Sequence, residues 1–284
     1  MTSMTRPTTT ESESVTQVRR DDGSPSLRVL ISGGGTIAPI DEVRWIGNFS
    51  TGSFAARIAE AFLERGARVW HVHTPTSQRP YHRSACWDLD ADPVAERDRL
   101  TRLTERWRDA RARLVDVGLK RGDVEDYRST LKRLLQSEPI DAVIHAMAVS
   151  DYQPDFQSGK LDSRAGDVIL TCRPVPKVIV QVKDWAPRAI LVGFKLLVGS
   201  TREELIATAR RAMTTTRADL TVANDLVELR QGRHTIHLVE AEPDRPVETI
   251  GPERDQPGRL AERVADLVAR RGMSGGDRSD HRRR

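Results

Sequence analysis

The chain has 284 residues, a formal net charge of +4 and 30% charged side chains spread between apolar runs; it is sized for one large α/β domain or two small ones and lacks the basic, aromatic-interleaved stripe of a nucleic-acid binder. Its two cysteines, Cys86 and Cys172, stand far apart in no CxxC pair, which argues against a disulfide framework or structural zinc site and for a reducing compartment. No apolar run approaches the roughly 20 residues that cross a bilayer and no signal core opens the chain, so a cytoplasmic protein with no membrane partner is expected.

Residues 1–26 are polar, Thr/Ser-rich and aperiodic, and are expected to be disordered. Leu27 to Ser32 is an apolar run entering Gly33-Gly34-Gly35-Thr36, the pattern of a buried strand ending in a glycine turn. Phe54, Ile58, Ala61 and Phe62 then recur at helical spacing; Ser50 or Thr51 can cap that helix and Gly66 can end it. With a strand at Ala67–Val72, these elements make one βαβ unit and hence a parallel sheet.

From 75 to 135 the sequence is charged, with helical stretches near Ala95–Val117 and Val124–Gln136, and reads as a helical insertion or surface helix over the sheet edge. Further strands are expected at Ala142–Ala146, Val168–Cys172, Ala189–Phe194, Leu220–Ala223 and His234–Val239, and helices at Glu203–Met213 and Gly258–Arg271. The sum is an α/β, doubly wound, mostly parallel (Rossmann-like) sheet of about six core strands with helices on both faces, forming one domain over 27–272. The basic end, 273–284, follows a Gly/Ser/Asp stretch and is expected as a disordered tail.

The glycine loop would let backbone N–H groups approach phosphate or carboxylate oxygens, or it is only a tight turn. Its spacing departs from G-x-G-x-x-G, and the second strand ends His71-Val72-His73 with no acidic ribose anchor; both count against a nicotinamide dinucleotide. Tyr-x-x-x-Lys is also absent, as are a G-x-S-x-G elbow and a Ser-His-Asp order, which sets aside a short-chain oxidoreductase and a hydrolase triad. Arg44, among Val43, Trp45 and Ile46, needs an anionic partner, either Asp41 or a ligand phosphate. Asn48 can offer its amide to a ligand acyl oxygen or serve as a cap. Ala146-Met147-Ala148 leave a strand end and lead to Asp151, where open sheets bind ligands. Phe194-Lys195 could stack a base and neutralise a phosphate. His71 and His73 share a strand face, but no third ligand stands at metal spacing in the sequence.

Taken in order, Ile31-Ser32-Gly33-Gly34-Gly35-Thr36, Pro39 to Arg44, Asn48-Phe49-Ser50-Thr51-Gly52, Ala148 to Tyr152, Gly159-Lys160-Leu161, Pro174 to Lys177, Gly193-Phe194-Lys195 and Ala223-Asn224-Asp225 resemble the phosphopantothenate–cysteine ligase family, in its free-standing bacterial form. The resemblance implies a nucleotide-binding acid–amine ligase of coenzyme A synthesis. In it the 4′-phosphopantothenate carboxylate attacks the α-phosphate of CTP or ATP, pyrophosphate leaves, and the acyl-nucleotide reacts with cysteine. It implies a homodimer, Mg²⁺ held mainly by the triphosphate through protein ligands left unknown, and no flavin.

Carried over, Asn48 and Lys160 are the catalytic residues, Asn48 on the acyl-nucleotide and Lys160 in its turnover. Arg44, Gly34, Gly35 and Thr36 bind the acid. Ala146, Met147, Ala148, Asp151, Pro176, Lys177, Val178, Ile179, Phe194 and Lys195 bind the nucleotide. The loop Lys160-Leu161-Asp162-Ser163 has fewer lysines than the family's, and Arg210, Arg211 or Arg217 would have to replace lysines of the later helix. These departures keep a second reading open: a nucleotide-binding homologue with an altered substrate or without catalysis.

Overall fold

A computed structural model describes residues 27–276 apart from 163 and 165; the tail expected at 1–26, and 277–284 of the basic end, lie outside the described residues. Arg28–Gly33 (β1) is buried from Val29 onward, as befits a parallel strand covered on both faces. A short hairpin follows, Ile37–Pro39 (β2) with Trp45–Gly47 (β3). Helix Ser53–Glu64 (α1) has Gly52 at its N-cap position, and the Thr51 hydroxyl accepts from the Ser53 N–H at 3.3 Å, so Thr51 helps to cap it. It ends in a Schellman motif: the Gly66 N–H donates to the Leu63 carbonyl and the Ala67 N–H to that of Phe62. Arg68–His73 (β4) completes the βαβ unit beside β1.

The segment expected as a helical insertion contributes more than cover. Pro93–Ala110 (α2) stops at a 3₁₀ turn, and Leu114–Gly118 (β5) joins the sheet as its edge. The helical reading through Val117 fails because Leu114-Val115-Asp116-Val117 alternates between faces, a strand period. Val124–Ser137 (α3) then buries Tyr127, Leu131, Leu134 and Leu135, each worth roughly 1.5–3 kcal/mol of apolar transfer, and leads to Ala142–His145 (β6).

Tyr152–Pro154 (β7) and Cys172–Pro174 (β8) pair as the stem of a long loop; the strand expected at Val168–Cys172 starts only at Cys172. After a 3₁₀ turn at Val178–Gln181 come Val182–Trp185 (α4), Ile190–Leu197 (β9), Arg202–Thr216 (α5), Leu220–Asp225 (β10), Leu226–Arg230 (α6), Ile236–Glu240 (β11), Glu248–Ile250 (β12) and Gln256–Gly276 (α7). The last helix runs past residue 273, into the expected tail.

The main sheet has eight strands in the order β12-β11-β10-β9-β6-β1-β4-β5, parallel from β5 to β10 and antiparallel beyond. Helices α1, α2 and α7 cover the face bearing Val29, Ile31, Val69 and Val192; α3, α4 and α5 cover the face bearing Leu30, Val72, Val143 and Leu191. The fold is therefore doubly wound, mostly parallel and Rossmann-like. The chain leaves β1 towards one layer and β6 towards the other, so the β1/β6 boundary is the topological switch point. Among the described residues no helix is long and apolar enough to cross a membrane.

His145, on β6, packs edge-on against Tyr127, whose hydroxyl donates to Ser32 Oγ at 2.9 Å. Burial pushes its pKa down from 6.5 to about 4. The unfolded chain takes up that proton near pH 6.5 while the folded chain refuses it until about pH 4, so stability is lost as pH falls through the window. His145 alone costs about 2 kcal/mol between pH 6.5 and pH 5. Urea unfolding of the wild type at the two pH values should show a loss at least that large. His145→Phe should flatten part of it; an unchanged pH dependence in the variant would refute the assignment.

Candidate functional site

At the switch point the loops leaving β1 and β6 remain stitched together. Gly35 and Ala148 form a parallel bridge, with Ala148 N–H donating to the Gly34 carbonyl at 2.8 Å and Thr36 N–H to the Ala148 carbonyl at 3.1 Å. Gly34 has a φ of 94°, and a Cβ on Gly35 would collide with the Asn48 carbonyl oxygen, so the backbones approach as only glycines allow. Thr36 is fully buried and its hydroxyl accepts from Ser150 N–H at 2.9 Å. Its side chain holds the two loops in register.

Asn48 is exposed beside this stitch. Its Nδ2 donates to the carbonyls of Val149 at 3.0 Å and Ala148 at 3.4 Å. Turning the amide over would set its oxygen against two carbonyl oxygens, so the orientation is fixed by chemistry. The amide expected to meet a ligand acyl oxygen is thus engaged by main chain, and Oδ1 is the atom left to face a ligand donor.

Arg44 has found the protein carboxylate. Its Nη1 lies 2.6 Å from Asp41 Oδ2, and both terminal nitrogens donate weakly to the Leu161 carbonyl. Asp41 also accepts from the N–H groups of Leu161 at 3.0 Å, Val43 at 2.8 Å and Arg44 at 2.6 Å. The Leu161 N–H above all, then those of Val43 and Arg44 and the Arg44 guanidinium, hold its carboxyl well below the usual carboxylate range despite burial. Asp41 therefore ties the β2–β3 hairpin to the loop stemmed by β7 and β8. That loop is a flap with Lys160, exposed, on it; two main-chain bonds, Gln157 N–H to Ile40 and Glu42 N–H to Gly159, add to the tie. Beneath the flap a cavity of about 250 Å³ is lined by Ile40, Arg44, Leu161, Val168 and Leu170. Asp41→Asn turns an amide N–H₂ towards one set of these donors. Trypsin should then cut after Lys160 several-fold faster than in the wild type while the rest of the chain keeps its resistance; equal rates would show that the tie does not hold the flap.

Other expected site residues divide between the faces of the sheet. Phe194 meets Phe54 edge-on with ring centroids 6.2 Å apart, and Phe54 meets His234 in the same way at 5.0 Å. His234 Nε2 lies 3.3 Å from Asn224 Nδ2; burial lowers the His234 pKa, so the neutral ring accepts that bond. This Phe54, Phe194, His234, Asn224 group was not foreseen, although Asn224 lies within a family-like segment. Lys195, next along β9, alternates to the other face of the sheet, so Phe194 and Lys195 stand on opposite sides of that strand. Met147 and Val178 are buried core residues that can offer a ligand only main chain. Ala146 and Ile179 pack partly buried against the two cores, and Pro176 is exposed. Asp151 and Lys177, both exposed, form a loose pair at 3.8 Å. Arg217 sits at the far end of α5, bound to the Val180 carbonyl and Asp184, while Arg210 reaches the Pro243 carbonyl and Arg211 the hydroxyl of Thr208. Arg217 lies away from the strand C-termini, at the end of α5 that leads into β10.

The family model of the DNA/pantothenate metabolism flavoprotein C-terminal domain matches residues 25–93 and 110–269; the gap between the two stretches coincides with α2. The chain is 28% identical over 212 residues to the coenzyme A biosynthesis bifunctional protein CoaBC of Thermococcus kodakarensis, covering 75% of this chain and 44% of that one, so it spans less than half of that relative's length. It is 32% identical over 230 residues to the phosphopantothenate–cysteine ligase of Homo sapiens, covering 72% of this chain and 73% of that one. Among solved structures, the DNA/pantothenate metabolism flavoprotein of Streptococcus pneumoniae superposes with a TM-score of 0.65 at 26% identity, over 86% of this chain and 98% of that one.

Proposed function

Because the chain belongs to the DNA/pantothenate metabolism flavoprotein C-terminal domain family, we propose that it is a nucleotide-dependent acid–amine ligase that joins 4′-phosphopantothenate to cysteine. The observation that carries this reading is the stitched switch point: Gly34, Gly35 and Ala148 locked by main-chain bonds, Asn48 latched to them, and a flap with Lys160 tied to the adjoining hairpin by Asp41.

In the proposed reaction the carboxylate oxygen forms a bond to the α-phosphorus of CTP or ATP as the bond to pyrophosphate breaks. The cysteine amine then attacks the acyl carbon, the nucleoside monophosphate leaves with the bonding pair, and the amine proton passes to that phosphate or to water. Two anions must first be held together, which calls for fixed positive groups and ordered geometry. Lys160, Lys177 and Lys195 are the flexible cations available. Asp151 is an exposed carboxylate held only loosely by Lys177 and suits a hard-oxygen site for Mg²⁺ shared with the triphosphate; the ion would offset phosphate charge there. No flavin is required by this chemistry. The exposed Val43, Trp45, Ile46 and Phe49 on and beside the β2–β3 hairpin fit burial against a second copy of the chain. The free thiols of Cys86 and Cys172 fit a cytoplasmic setting.

Purified full chain given Mg²⁺, 4′-phosphopantothenate, cysteine and each nucleotide in turn should release pyrophosphate only when the acid is present. No acid-dependent release with either nucleotide would end this reading. The position of Arg217 favours one rival, a homologue that binds nucleotide without turning it over, and a binding titration beside the pyrophosphate assay separates the two.

A further inference from the structure

At the other end of the sheet from β12, three ligand-type side chains meet on adjacent strands. β4 turns His71 and His73 to the α1–α2 face, and Asp116 of β5, paired in register with His71, points the same way. Asp116 Oδ1 lies 3.1 Å from His73 Nε2 and 3.8 Å from His71 Nδ1, and one donor atom from each residue falls within 4.8 Å of the others. Four ligands at the 2.0–2.1 Å typical of Zn–N and Zn–O bonds stand about 3.3 Å apart in a tetrahedron, and the two measured edges bracket that value.

The surrounding bonds match such a site. His73 Nδ1 lies 3.0 Å from the Thr74 carbonyl. As the donor there it leaves the Nε2 lone pair aimed at a carboxylate oxygen, an arrangement that requires a cation between them; the outer bond to a carbonyl is the usual support of a metal-bound histidine. Arg79 holds the other Asp116 oxygen at 2.9 Å and fixes the carboxylate. A proton on His73 would satisfy that one contact. It would leave His71, fully buried, with no hydrogen-bond partner at either ring nitrogen, a costly state for a buried polar group. A metal ion meets the His73 lone pair and also gives His71 a partner at Nδ1. The charged or titratable groups facing His71 are His73, Asp116 and Arg79.

We propose that His71, His73 and Asp116 bind a divalent first-row transition ion, of the kind represented by Zn²⁺, with water completing the coordination. Two neutral imidazoles and a carboxylate are the donors such ions select. The ion clamps the edge strand β5 onto β4 at the level where His73 pairs with Gly33 of the glycine loop. It is separate from the Mg²⁺ and nucleotide chemistry of the proposed ligase and does not depend on it.

The test uses tag-free full chain stripped with chelator and titrated with Zn²⁺ alone by calorimetry, then with Co²⁺ by absorption. One ion per chain is expected, with ligand-field bands, no thiolate charge-transfer band, and a rise in the melting temperature. His73→Ala and Asp116→Ala should each weaken binding by more than the roughly 10–100-fold that loss of a supporting outer bond costs, and should abolish the melting rise. Substoichiometric binding by the wild type, equal affinity in a folded variant, or a cobalt spectrum dominated by Cys86 or Cys172 would each overturn the site. The wild-type stoichiometry and spectrum decide the matter even where a variant fails to fold.

Discussion

Replacing Asn48 by alanine is expected to lower kcat for acid-dependent pyrophosphate release by about 10²–10³-fold, the scale on which a single preorganised polar group at a reacting centre acts. The side chain is exposed and its amide is latched to Ala148 and Val149, so it keeps the β1 and β6 loops together and leaves Oδ1 towards a ligand. Stability should fall by no more than about 1 kcal/mol, the net worth of an ordinary hydrogen bond. Asn48→Asp is the sharper variant, since it sets a carboxylate against two carbonyl oxygens and should lose at least as much activity. Steady-state rates beside melting curves check both; wild-type turnover in either would remove Asn48 from the site.

Lys160→Gln is expected to separate the two half-reactions. With the flap still tied through Asp41 and the Leu161 N–H, the first step should still release one equivalent of pyrophosphate in a burst. Amide formation should then slow by about 10²-fold or more, as when a positioned proton-handling or charge-stabilising group is lost. Rapid-quench measurement of both products distinguishes the outcomes. A burst slowed as much as the amide step would move Lys160 to the activation step, and unchanged rates would deny it a role.

Which elements could be read from the sequence follows from where they sit. β1 and β6 lie inside a parallel sheet, so Val29–Ile31 and Ala142–Ile144 form apolar runs, and β4 keeps the same buried pattern although His71 and His73 interrupt its apolar residues. β5 is half exposed, with Asp116 at its centre, and its alternation was lost behind the periodicity of α2. The β2–β3 hairpin exposes Val43, Trp45 and Ile46, which resemble core residues in sequence and carry no strand signal in so short a run. β12 is three residues long.

The candidate site was legible wherever a local rule applied: glycines where backbones must approach, and an acid three residues before Arg44. Long-range pairings were not. The Asn48 latch joins residues 100 apart or more in the chain, and His71 meets Asp116 only because β5 returns beside β4. The placing of Lys195 follows a simpler rule. Neighbours along a strand point to opposite faces, so Lys195 stands across β9 from Phe194.

That divergence constrains how a nucleotide can lie. Under the proposed ligase reading, a nucleotide that touched the Phe54–Phe194–His234 group and also Lys195 would have to reach both faces of the sheet at β9, its base on one side and its phosphates on the other. Preference between pyrimidine and purine could then drift by substitutions among the rings without disturbing how the phosphates are gripped. The choice of energy donor and the bond-making step would evolve on separate sides of a single strand.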